Sequence, residues 1–143
     1  MNIKSFLDAT YLKTAKQAAI TIEQDLKIVA TCIQEAIDEN FKLIMIRPKH
    51  VALASKMIAS TNSKLLVGTV IDFPKGKSDL DFKLTQAQKA IDNGADDLDF
   101  VANYRAFKKK KIELVKNEIL EGTKLGLQNN RSEERRVGKE CSS

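Results

Sequence analysis

Four short apolar runs, each followed by a segment of helical periodicity, constrain the fold of this chain more than any other feature. The runs are Ser5–Leu12, Phe41–Ile46, Lys64–Ile71 and Asp97–Val101. Helical patterns begin at the capping sequence Thr21–Gln24, after Pro48, at Ser78–Asp81 and near Lys111. Strands that alternate with helices over short connections form parallel sheets with right-handed crossovers. The sequence therefore predicts an α/β fold of about four βα units over residues 1–130.

The spacing of apolar residues predicts which faces of the helices form the core. The first long helix, ending near Asn40, and the last, running from about Lys111 to Leu125, both carry apolar residues at three- and four-residue spacing. We expect the core-facing residues of these two helices to be Leu26, Val29, Ile33 and Ile37, and Ile112, Val115, Ile119 and Leu120.

Polar residues lie on or directly after the predicted strands, at Asp8, Thr10, Asp72 and Asp99. The carboxyl ends of the strands carry the chemistry in parallel α/β folds. Neither of the glycine-rich nucleotide-binding patterns follows a strand, which argues against an open nucleotide-binding sheet. We therefore predict a β/α barrel of the TIM-barrel family. An eight-stranded barrel takes about 250 residues, so this chain supplies about half of one.

The fourth strand has an acidic face. Because side chains alternate along a strand, Asp97, Asp99 and Val101 share one face, while Leu98 and Phe100 share the other. Burying a carboxylate costs several kcal/mol unless it is paired or hydrogen-bonded. On pattern alone, Asp99 is as consistent with a satisfied structural carboxylate as with a functional one. In a further alternative, Asp96 and Asp97 are loop acids and only Asp99 points inward.

Charge and composition exclude several classes of function. The net charge is +5, and Lys108–Lys111 is a run of four lysines, but no aromatic residues alternate with the bases, so we expect no nucleic-acid partner. We also expect no membrane span, no metal site, no cofactor and no disulfide between Cys32 and Cys141. The amino terminus lacks a long apolar segment, which predicts a cytoplasmic protein.

Three segments resemble the deoxyribose-phosphate aldolase family. They are L-D-A-T-Y-L at 7–12, T-V-I-D-F-P-K-G at 69–76 and N-G-A-D-D-L-D-F-V-A-N-Y-R-A at 93–106, and the resemblance covers roughly residues 5–130. It implies a metal-free class I aldolase on a TIM barrel. Such an enzyme reversibly cleaves 2-deoxy-D-ribose 5-phosphate to D-glyceraldehyde 3-phosphate and acetaldehyde through a lysine Schiff base, in deoxyribonucleotide catabolism.

Carried onto this chain, the resemblance implies that Asp99 is the catalytic proton donor and acceptor and that Asp8 and Thr10 bind the substrate. The chain departs from the family at Met45, Ala9 and Asp72, where cysteine, histidine and asparagine or glycine are usual. No lysine matches the Schiff-base motif: we expect Lys13, Lys42, Lys64, Lys75 and Lys108–Lys111 to be surface charges. The resemblance therefore implies a fragment that is inactive alone and lacks the nucleophile.

The alternation of strands and helices does not continue into the last residues of the chain. Residues 131–143 are a polar tail with a single aliphatic residue, and we interpret them as non-native sequence, with a disordered basic tail as the alternative. A half barrel would leave both edge strands open and the inner faces of Phe41–Ile46 and Lys64–Ile71 exposed. The alternative functions are therefore a non-catalytic half barrel that self-associates as a homo-oligomer, and a basic binding module.

Overall fold

The computed structural model describes residues 3–129, and the predicted tail at 131–143 lies outside them. The described residues form a four-stranded parallel sheet in the order β1-β2-β3-β4. The strands are β1 (Asp8–Tyr11), β2 (Leu43–Ile46), β3 (Leu66–Ile71) and β4 (Asp97–Phe100). This sheet confirms the prediction of four parallel βα units.

The helices lie between and after the strands. They are α1 (Ala15–Ala18), α2 (Ile22–Asp38), α3 (Val51–Ala59), α4 (Leu80–Asp92), α5 (Tyr104–Lys108) and α6 (Ile112–Gln128), with 3-10 turns at Ile3–Phe6 and Pro48–His50. The sequence predicted α2, α3, α4 and α6 and missed the short α1 and α5. None of the helices within residues 3–129 is long and apolar enough to cross a bilayer.

The predicted helix boundaries have the expected local causes. Thr21 caps α2 by accepting from Gln24 N–H, and the Gln24 side chain accepts from Thr21 N–H in return. Asp79 caps α4 by accepting from Phe82 N–H at 2.8 Å. Gly94, after α4, has φ of +103°, which favours glycine. A Cβ there would lie 2.3 Å from the Ser55 Oγ atom, so this glycine also permits the turn after α4 to approach α3 closely.

The pairing register divides the sheet into two faces. Thr10 is paired with Met45, Met45 with Gly68, and Gly68 with Asp97. Side chains paired in this way share a face, so Asp8, Thr10, Asp97 and Asp99 all project from one side of the sheet. We call this side the inner face. The opposite, outer face includes Ile44, Ile46, Val67 and Ile71, which are buried in the core that the helices cover.

The core confirms part of the predicted helix faces. Val29 and Ile33 of α2 are fully buried, but Leu26 is 48% exposed, and the buried position beside it is Asp25. In α6, Val115 is buried while Ile112, Ile119 and Leu120 are exposed. The second buried residue of α6 is Glu118. The prediction was wrong at Leu26 and Ile119 because the buried position is in each case the preceding residue, whose buried, charged side chain forms an ion pair.

The inner face is better covered than a bare half barrel would be. Leu43, Met45 and Val70 form a small apolar cluster, packed by Leu12 and Phe73 from the loops after β1 and β3. Each of the three is 4–5% exposed. The expectation of an exposed inner face is therefore wrong for these three side chains, because the two loops fold over them.

Candidate functional site

The three residues predicted to carry chemistry lie on the inner face. Asp8 and Thr10 belong to β1 and are exposed, whereas Asp99 belongs to β4 and is half-buried. Asp99 is paired with Val70 of β3 near the carboxyl end of the sheet. Asp8 and Thr10 lie on β1, and Asp99 lies on β4 at the other edge of the described sheet, so β2 and β3 separate them. In a sheet that curves toward closure, side chains on these strands converge on the interior.

The other acids of the fourth strand have different positions. Asp97 is the first residue of β4 and is 7% exposed, so the interpretation of Asp97 as a loop acid is wrong. It lies two residues before Asp99 in the strand and therefore faces the same side. Asp96 precedes the strand, and its Oδ2 atom accepts from Val67 N–H at 2.9 Å. Asp96 is thus a structural link between β3 and the start of β4.

Asp72 does not join these residues. Its carboxylate accepts from the backbone N–H and from the hydroxyl of Ser78, at 2.8 Å and 2.7 Å. It has φ of +56° and shapes the predicted turn at Asp72–Gly76. We therefore assign Asp72 to the geometry of the loop after β3.

Lys83 of α4 and Glu118 of α6 form a buried ion pair that the sequence analysis missed. Lys83 Nζ lies 2.9 Å from Glu118 Oε1 and also donates to the carbonyl oxygens of Gly76 and Val101. Glu118 Oε2 accepts from Asn103 N–H at 3.0 Å. The pair ties both helices to the loops after β3 and β4, adjacent to the strand end that carries Asp99.

The ammonium of Lys83 is not placed as a nucleophile. An ammonium has three N–H donors, and Lys83 directs them to three acceptors while its side chain is fully buried. An amine that forms a Schiff base must be reachable and unprotonated. The lysines predicted to be surface charges are indeed exposed, namely Lys13, Lys42, Lys64, Lys75 and Lys108–Lys111.

A second buried carboxylate, Asp25 of α2, forms ion pairs and a hydrogen bond on the outer face of the sheet. Its Oδ2 atom lies 2.8 Å from Lys49 Nζ and 3.5 Å from His50 Nε2, and Tyr11 OH donates to Oδ1 at 3.5 Å. The hydrogen bond from Lys49 lowers the pKa of Asp25 despite burial. Burial, and then the charge of Lys49, lower the pKa of His50. The cluster joins β1, α2 and the turn after β2 on the side of the sheet opposite Asp99.

Arg47 lies at the carboxyl end of β2, at the edge of the inner face. Its Nε–H donates to the carbonyl oxygen of Leu12 at 2.7 Å. The guanidinium carbon lies 4.9 Å from the centre of the Phe73 ring. Partial burial lowers the pKa of Arg47. Arg47 thus connects the two loops that cover the apolar cluster.

The chain is similar in sequence to proteins named deoxyribose-phosphate aldolase. No family model matches the chain. The deoxyribose-phosphate aldolase of Thermococcus kodakarensis is 35% identical over 123 residues, which are 86% of this chain and 51% of that protein. The enzyme of the same name from Mesomycoplasma hyopneumoniae is 40% identical over 119 residues, 83% of this chain and 49% of that protein.

Solved structures agree with the sequence comparison. The aldolase QR15 superimposes with a TM-score of 0.72 at 28% identity, over 86% of this chain and 50% of that one. The deoxyribose-phosphate aldolase of Aeropyrum pernix, which is described as a tetramer, gives a TM-score of 0.72 at 24% identity. That likeness covers 90% of this chain and 49% of the other, and it supports the fold alone.

The described sheet and its helices correspond to about half of the α/β barrel of the aldolases that they resemble. The chain is a relative of the deoxyribose-phosphate aldolase family. It spans about half the length of the curated relatives it matches.

Proposed function

We propose that this chain supplies part of the active site of a class I aldolase that acts on 2-deoxy-D-ribose 5-phosphate. The reaction would be reversible cleavage to D-glyceraldehyde 3-phosphate and acetaldehyde, in deoxyribonucleotide catabolism. Asp99 would transfer protons, while Asp8 and Thr10 would contact the sugar phosphate. We further propose a cytoplasmic location, as expected for a small phosphorylated substrate.

The observation that carries the proposal is the common inner face of Asp8, Thr10 and Asp99. The three residues come from the first and last strands described, yet the register brings their side chains to one side of the sheet. A carboxylate near a strand end can relay a proton to a bound substrate and can stabilise the charged form of a neighbouring lysine.

The nucleophile of this proposal would lie outside the described residues. None of the four strands within residues 3–129 contains a lysine, and Lys83 donates to three acceptors. A Schiff-base aldolase needs an accessible amine as its covalent nucleophile, and a carboxylate cannot replace it. No lysine of the chain matches the Schiff-base motif of the family it resembles either, and we therefore infer that the chain alone is inactive.

Borohydride trapping tests this inference. The purified chain would be incubated with deoxyribose 5-phosphate and borohydride, which reduces an imine to a stable secondary amine, and the product would be analysed by mass spectrometry. We expect no substrate-dependent mass increase, with an intact aldolase as the positive control. A trapped adduct at a single lysine would show that the chain contains its own nucleophile.

A non-catalytic, self-associating half barrel is the second candidate, and the sheet edges favour it. Within residues 3–129, β1 pairs only with β2, and β4 only with β3. Each outer strand therefore presents backbone amides and carbonyls to which another strand could bind. In this candidate the partner would be a second copy of the chain.

A further inference from the structure

The side chain of Arg47 points to the inner face of the sheet. This residue directly follows β2 and still has extended backbone angles, with φ of −65° and ψ of 150°. Its side chain therefore continues the alternation of Leu43 and Met45 and belongs to the inner face. Its contacts agree with this position. Arg47 touches Leu12 and Phe73, and these are the residues that cover the apolar cluster of the inner face.

The Nε atom of the Arg47 guanidinium donates a hydrogen bond within the chain, whereas its terminal nitrogens are available to a ligand. Nε–H donates to the Leu12 carbonyl oxygen, and the guanidinium carbon lies 4.9 Å from the centre of the Phe73 ring. A guanidinium has five N–H donors, four of them on the terminal nitrogens. Among residues 3–129 these terminal nitrogens have no hydrogen-bond partner, and Arg47 forms no ion pair.

The position of Arg47 relative to Asp99 defines what could bind there. Met45 is paired with Gly68, so Arg47 falls opposite Val70, and Val70 is paired with Asp99. Arg47 and Asp99 thus lie on either side of Val70, separated by two strand spacings, or roughly 10 Å. A small ligand that reaches the Asp99 carboxylate can place a second group against Arg47.

We propose that Arg47 is a specificity-determining residue that binds an oxyanion group, phosphate or carboxylate, of a small ligand on the inner face. A planar guanidinium with a fixed orientation favours such groups because it can donate two parallel hydrogen bonds to them. The site itself depends only on the geometry of Arg47. Its assignment to an aldol substrate rests on the proposed function, and the two can fail separately because anion binding requires no turnover.

Nuclear magnetic resonance of the arginine side chains tests the anion site in the unmodified chain. Inorganic phosphate and, separately, acetate are titrated at constant ionic strength while the Nε–H signals are followed. Arg105, which is exposed on α5, is the internal control for unspecific charge effects. We expect a saturable shift at Arg47 and a small, linear one at Arg105. The stronger of the two anions identifies the preferred group.

Two variants separate binding from a structural role. The variants lack the Arg47 Nε–H signal, so anion affinity is followed in all of them through the backbone N–H signal of Phe73, whose ring lies beside Arg47. Arg47→Gln should weaken anion affinity about ten-fold or more, which is the loss expected when charge-assisted hydrogen bonds are removed. Arg47→Lys keeps the charge and loses the planar group, so it should recover only part of the affinity. Equal, unsaturable shifts at Arg47 and Arg105 would overturn the proposal. So would unchanged anion affinity in a folded Arg47→Gln variant, and Arg47 would then only hold Leu12 and Phe73 together.

Discussion

Replacement of Lys83 by methionine should destabilise the chain more than any change to a surface lysine. The ammonium is fully buried, and its loss leaves the Glu118 carboxylate, itself 3% exposed, with Asn103 N–H as its remaining donor. The carbonyl oxygens of Gly76 and Val101 also lose the donor at 2.9 and 3.0 Å. Breaking a buried ion pair from one side costs about 3–5 kcal/mol. Since domains of this size are stable by about 5–15 kcal/mol, the variant should lose a large part of its free energy of unfolding.

Urea denaturation measures this loss, provided that all variants are compared at one protein concentration, because self-association makes apparent stability concentration-dependent. Lys116→Met is the matched control: its ammonium lies 3.1 Å from Glu113 Oε1, but both side chains are largely exposed. That pair should contribute at most about 1 kcal/mol. Equal urea midpoints for Lys83→Met and Lys116→Met would refute the argument that the Lys83–Glu118 pair holds the loops after β3 and β4.

Three further predictions follow from other parts of the structure. Gly94→Ala should cost about 1–3 kcal/mol in urea unfolding, because Gly94 has φ of +103° and a Cβ would lie 2.3 Å from Ser55 Oγ. The control Gly126→Ala, where a Cβ meets nothing within 4 Å, should instead be neutral or stabilising; equal effects would contradict the packing argument. Because burial lowers the pKa of His50, the unfolded chain binds the proton more tightly, so stability should fall as the pH drops below about 6.5. The urea midpoint at pH 7.5 and 5.5 checks this, and a His50→Gln variant with the same pH dependence would assign the effect elsewhere. Finally, the open edges of β1 and β4 should make the isolated chain self-associate; a sharp, concentration-independent melt of a species that sediments as a monomer would contradict this.

The sequence predicted the strands, the long helices and the acidic inner face because each of these depends on local patterns. The alternation of Asp97, Leu98, Asp99 and Phe100 defines two faces whatever the strand pairs with, and the register agrees. The capping sequence at Thr21–Gln24 likewise marks the start of α2 with its own side chains. The short helices α1 and α5 have too few residues to show a helical period, and they were missed.

The residues that escaped sequence analysis have partners far along the chain. Lys83 and Glu118 are 35 residues apart, and neither has a local pattern that distinguishes it from an exposed helical charge. Asp25 is similar, since its partners Lys49 and His50 come from the turn after the next strand. Arg47 acquires its orientation from Leu12 and Phe73, which precede and follow it in different loops. Periodicity assigns such positions by residue type alone, and only the assembled sheet shows which charges become buried together.

The turnover of a hybrid enzyme tests most directly whether the inner face is half of an aldolase site. The hybrid joins residues 1–129 of this chain to the remaining part of a full-length relative, such as the Thermococcus kodakarensis aldolase. Cleavage of deoxyribose 5-phosphate would be compared between this hybrid and its Asp99→Asn variant, with Asp72→Asn as the control for a carboxylate that shapes a loop. We predict that Asp99→Asn lowers kcat by roughly two to four powers of ten, the range for lost acid–base catalysis, while Asp72→Asn keeps most of it. Near-normal turnover of the Asp99→Asn hybrid would contradict the account, because Asp99 would then be a structural carboxylate.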